Sequence, residues 1–156
     1  AAYTNLLFKL IDDQRKVFDN LTLEFPEKWS WLKKQGTQAI NTLEMHITML
    51  KTNNLDDTCV GAYVDIIDSE DHLWEHLRSF YSSIKLTEEI LSDNNGFTQL
   101  KRESSIKMII QLASLAQLRA ILIGMQFIDS EASRNLKNNM TLMKVFNEIN
   151  LSVNPY

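Results

Sequence analysis

The stretch from Ile106 to Ile128 constrains this chain more than any other, because it has the length of a bilayer span and carries only Lys107 and Arg119 as charges. A helix of that length, rising about 1.5 Å per residue, crosses roughly 30 Å of hydrocarbon. Gln111, Ser114, Gln117, Arg119 and Gln126 recur through it. An arginine near the centre costs about 2.5–3.5 kcal/mol on insertion scales, while each Leu or Ile returns only a few tenths. The balance argues against a membrane span. At about 100° per residue, Ile109, Ala113, Ala116, Ala120, Ile123 and Phe127 fall on one apolar face, and Gln111, Arg119 and Gln126 cluster on another. The reading is a long central helix over about 98–128, with a small-residue seam at Ala113, Ala116, Ala120 and Gly124 that demands a closely packed neighbour.

The rest of the chain must cover that helix. Its 156 residues fit one domain, 1–156, and a domain of that size buries roughly 68–70% of its unfolded surface without disulfide or metal. Four glycines and two prolines punctuate it, and apolar residues recur mainly at helical spacing. The expected fold is all-α: a compact bundle of five to six helices. Thr4 starts a first helix to about Thr22. Pro26 opens a short helix carrying Trp29, Trp31 and Leu32 and ending at Gly36, and Thr37 caps the next, to about Thr52. Residues 59–67 are β-branched enough for a strand, but a lone strand has no partner, so a helix starting at Asp56-Asp57-Thr58 is expected, continuing or kinked near Asp68 and reaching Ile84. Ser92–Gly96 is a turn, and Ser130 caps a last helix to about Asn150.

The single cysteine, Cys59, argues for a reducing cytoplasmic or otherwise intracellular setting and, lying in an apolar run, is expected to be a buried thiol. No signal peptide is visible, and the sequons at Asn20, Asn139 and Asn150 acquire meaning only in a secreted protein. Net charge is −4, with the acidic surplus between Asp56 and Glu75. Bases cluster no further than short pairs such as Lys33-Lys34 and Lys101-Arg102, so nucleic acid is not an expected partner. Asp56, Asp57, Asp68, Glu70 and Asp71 read either as a solvated face with helix N-terminal carboxylates or as a docking surface for a basic partner.

Three constellations could carry chemistry. His72-Leu-Trp-Glu-His76 matches the H-x-x-E-H arrangement, in which two histidines one turn apart hold zinc and Glu75 serves as base; Glu148 is a conceivable third ligand. Adding His46 gives three neutral imidazoles from two helices. Tyr3–Leu50, an N-terminal helix, the loop Phe25–Trp31 and a helix carrying His46, resembles the start of DinB-like metal-binding four-helix bundles. That resemblance, over about a third of the chain, implies a metal site at His46. The family's late histidine pair is missing, since no histidine follows His76. Arg119, grouped with Gln111 and Gln126, could face a cavity and hold a carboxylate or phosphate, or pair with an acid of an adjacent helix. Trp29 and Trp31, two apart, cannot share a helix face; core filling is expected for both, and an exposed one would mark an interaction surface.

No phosphate-binding glycine loop, nucleophile elbow or Cys-x-x-Cys pair is present. The function expected from the sequence is a non-enzymatic helical interaction module, an adaptor, regulator or assembly subunit without cofactor, that binds another protein or self-associates. A metal-dependent bundle using His72, Glu75 and His76 or His46 is the competing expectation, and a small-ligand sensor with a pocket at Arg119 is a third.

Overall fold

The computed structural model describes residues 2–156. In order along the chain come α1 (Ala2–Asp19), β1 (Thr22–Pro26), β2 (Trp31–Gln35), α2 (Gly36–Thr52), α3 (Asp57–Ile67), α4 (His72–Ile90), α5 (Gln99–Gln111), α6 (Leu115–Phe127), α7 (Glu131–Lys137) and α8 (Met140–Glu148). The fold is helical and compact, as expected, with eight helices among the described residues rather than five or six. One core runs through it, and α4 is its axis, packing against α1, β1, α5, α6 and α7. Leu73, Leu77, Phe80 and Ile84 give α4 its apolar stripe, each contributing about 1.5–3 kcal/mol on full burial.

The long central helix is two helices. The chain bends by 109° between α5 and α6, because Ser114 accepts a hydrogen bond from the Gln117 backbone N–H while the Gln117 side chain accepts one from the Ser114 N–H. This reciprocal capping box satisfies two backbone donors at a helix start and makes a new N-terminus inside the apolar run. No single helix among the described residues is long and apolar enough to cross a membrane. The seam finds its neighbour within the chain. A Cβ added at Gly124 would lie 3.2 and 3.3 Å from the two δ carbons of Leu77, so glycine lets α6 close on α4. At Gly61 a Cβ would stand 2.8 Å from the carbonyl oxygen of Phe127, and α3 approaches the end of α6 only because it is absent.

The predicted short helix at Pro26 is instead a β-hairpin. Leu21, Leu23 and Phe25 are buried at alternate positions, a period of two that only a strand can present to a core. β1 pairs antiparallel with β2 in the register Leu23↔Lys34 and Phe25↔Leu32. Gly36 does not stop a helix; it opens α2 at φ +56°, a left-handed conformation that glycine adopts without strain, and its N–H reaches the Leu21 carbonyl at 2.7 Å. Residues 59–67 are helical, started by the Asp56 side chain accepting from the Cys59 N–H. Because α3 buries Val60, Val64 and Ile67, Cys59 points away from the core and is exposed, not buried. Ser130 caps its helix as predicted, but that helix ends at Lys137 and Asn139 caps a separate one.

Candidate functional site

The histidines are dispersed. Among the described residues no three His, Cys, Asp or Glu side chains are grouped to hold a metal ion. His72, in the first turn of α4, receives a hydrogen bond on Nδ1 from the Thr22 N–H at 2.9 Å. In the neutral ring this leaves the proton on Nε2, which lies 3.5 Å from Glu70. His72 thus pins the hairpin to α4. His76, one turn on, is fully buried beside Phe18, and neither ring nitrogen has a hydrogen-bond partner. Burial pushes its pKa down to about 4, so it sits in the core as a neutral ring. Glu75 and Glu148 are exposed. His46 is far from this pair in role: its Nδ1 meets the Tyr63 hydroxyl, and its ring packs edge-on to Phe25.

The acidic stretch is largely occupied by local tasks. Asp56 caps α3, and Asp57 receives Lys51 at 2.6 Å and the Gln126 amide at 3.2 Å. Glu70 receives Lys33 of β2 at 2.9 Å, and Asp71 turns the chain at φ +59°. Asp68 is not a surface residue at all: it is 4% exposed. Its two carboxylate oxygens accept the Leu73 and Trp74 N–H groups at 2.9 and 3.0 Å, closing the N-terminus of α4 from the preceding loop. Burial pushes its pKa up to about 6 against the pull of those two donors.

Arg119 is held by α2. Its guanidinium donates to Glu44 and to Asn41, each at 3.0 Å, and its Nε is buried without a partner. Gln111 does not join it; it ends α5, beyond the 109° bend, and is exposed. Gln126 does lie in the same network. It donates to Asp57 and accepts the backbone N–H of Tyr156 at 3.1 Å. The Tyr156 hydroxyl donates to the second oxygen of Glu44, and its ring lies 6.1 Å from that of Phe127. Burial and the Glu44 carboxylate raise the phenol pKa above the ordinary tyrosine value. Glu44, Asn41 and Tyr156 escaped the sequence reading because 75 or more residues separate them from their partners, and no local pattern marks such a pairing.

The tryptophans form the most exposed apolar feature. Trp29 is 90% exposed at the hairpin tip, Trp31 is 55% and Leu32 42%. Neither tryptophan fills the core, contrary to expectation, because Phe25 and Leu23 on β1 already occupy the hairpin's buried positions. The Glu27 N–H donates to the Ser30 carbonyl at 2.7 Å across the tip, and the His72 and Lys33 contacts fix the strands behind it. The tip therefore presents two large aromatic rings on a tethered support. A cleft of about 550 Å³ also opens between α3, α4 and α6, lined by Asp57, Asp65, Trp74 and Asp129 among others. Lys51 pairs with its Asp57 and Arg134 with its Asp129. Comparison of the chain with protein-family models, with curated proteins and with solved structures finds no match.

Proposed function

We propose that this protein is a non-enzymatic interaction module that binds another protein through the tip of its β-hairpin. The carrying observation is the exposure of Trp29 and Trp31 beside Leu32, on a hairpin whose opposite strand buries Leu23 and Phe25 in the core. Tryptophan is the residue most enriched among those that dominate binding energy. A support held by His72 and Glu70 reduces the conformational freedom lost when the tip binds. Neither ring is buried in the core, so both are available to a partner.

A photo-crosslinking residue at position 29 tests this in cells that make the protein, with the same residue at exposed Lys85 as the control. Discrete adducts at position 29 and none at position 85 support the reading. A homodimeric adduct identifies self-association through the same tip. Equal, diffuse labelling at both positions, or none at either, overturns it.

A further inference from the structure

We infer that the groove between α2 and α6 is a recognition site for an extended segment bearing a tyrosine, and that the chain's own residues 152–156 hold it in cis. Between α8 and Tyr156 the residues form no helix or strand. It reaches the groove through Asn150 and Asn154, which stand at φ +59° and +57°, positions where asparagine tolerates a reversal that most residues resist. Both side-chain-mediated hydrogen bonds that attach this tail come from Tyr156: its backbone N–H to Gln126 and its hydroxyl to Glu44.

The acceptors do not depend on the tail. Arg119 fixes Glu44, and Asp57, itself paired with Lys51, orients Gln126. When Tyr156 leaves, a carboxylate, an amide oxygen and the ring of Phe127 therefore remain in place for another phenol and another backbone N–H. Preformed polar partners on an apolar floor are what a peptide site needs to avoid paying for its own ordering. The groove also continues past the tail: an open space of about 360 Å³ runs between Thr48, Lys51 and Thr52 of α2 and the Pro155-Tyr156 pair. The occupant is thus a segment whose tyrosine takes the place of Tyr156, and the tail is its built-in competitor. A tethered competitor acts at an effective concentration in the millimolar range, so it suppresses but does not abolish binding in trans. The site shares no residue with the hairpin tip and stands independently of the proposed function.

The test is a fluorescently labelled peptide of residues 151–156, titrated by anisotropy against the full chain and its Tyr156→Ala variant. The variant is expected to bind at least tenfold more tightly than the wild type, and a peptide with phenylalanine in place of tyrosine to lose about tenfold, the loss of a hydrogen bond to a charged group. Should the alanine variant lose its fold, Tyr156→Phe, which keeps the ring on Phe127, serves the same comparison and binds with intermediate affinity. Equal binding to wild type and folded variant overturns the inference, and so does indifference to the peptide's hydroxyl. Concentration-dependent dimerisation of the wild type that Tyr156→Ala abolishes overturns the cis arrangement in favour of tail exchange between two copies.

Discussion

Asp68 and His76 titrate in opposite senses, and removing His76 exposes the difference. On folding the Asp68 pKa rises from an ordinary 3.8 to about 6, so the folded chain keeps a proton that the unfolded chain has released. Its stabilising contribution is complete below about pH 4 and is lost as pH rises through about 6. The His76 pKa falls from 6.5 to about 4, so the unfolded chain binds a proton that the folded chain refuses. That contribution is complete above about pH 6.5 and is lost as pH falls toward 4. Each of these changes is worth about 3 kcal/mol. Between about pH 4 and 6 the two slopes nearly cancel, and this pair leaves the stability of the wild type almost flat. In His76→Leu only the Asp68 slope remains, and stability is expected to fall by about 3 kcal/mol from pH 4 to pH 6 relative to the wild type. At neutral pH the same variant is expected to equal or exceed the wild type, because leucine replaces a buried ring with two unpartnered nitrogens. Urea unfolding followed by far-UV circular dichroism at several pH values in this window gives the midpoints at constant m. Parallel pH profiles for the two proteins would refute the reasoning, since His76 would then not be a neutral ring excluded from protonation by the fold.

Four further substitutions probe packing, the Arg119 pairing and capping. Gly61→Ala drives a methyl into the Phe127 carbonyl and is expected to cost about 1–2 kcal/mol after alanine's helix propensity returns roughly 1; Gly124→Ala meets only the movable end of Leu77 and should stay within about 1 kcal/mol of wild type, both read by thermal or chemical unfolding. Arg119→Met removes the bonds to Glu44 and Asn41 and is expected to destabilise by about 1–3 kcal/mol; unchanged stability would return Arg119 to the role of a ligand-binding side chain. Ser114→Ala breaks one arm of the capping box at the bend and is expected to cost about 1 kcal/mol, with slower amide exchange at Gln117 than in the wild type counting against it.

Much of the helical architecture was legible because burial repeats along each helix, as at Val60, Val64 and Ile67 or Leu73, Leu77, Phe80 and Ile84. The bend in the central run was written in the sequence too, as Ser114-x-x-Gln117, but apolar residues continue through it on both sides and hydrophobic periodicity does not register a change of direction. The hairpin was hidden differently. Leu21, Leu23 and Phe25 alternate over only five residues, and Pro26 fits a helix start as readily as a strand end. Of the site residues, Asp56 kept its expected local capping role, whereas Asp68 looked like its neighbours and proved buried. Capping across the α3–α4 loop depends on where the loop closes, and charge pattern carries no trace of that. An ion pair of Arg119 with an acid of an adjacent helix was one of the readings open from the sequence, but its partner could not be read, because Glu44 is one of many acids until the fold chooses it.

The central position of α4 has a consequence for synthesis. α1, which emerges before α4, carries Leu7, Ile11 and Phe18, and its principal partner is α4, whose last residue is Ile90. At about 5–20 residues per second the ribosome takes several seconds to reach it. Throughout that interval the apolar stripe of α1 lacks its principal native cover, and the nascent chain depends on chaperones or on transient collapse to keep it from other chains. The half-made protein is therefore its most vulnerable form, and slow translation between α1 and α4 is expected to lower soluble yield more than an equal delay after Ile90.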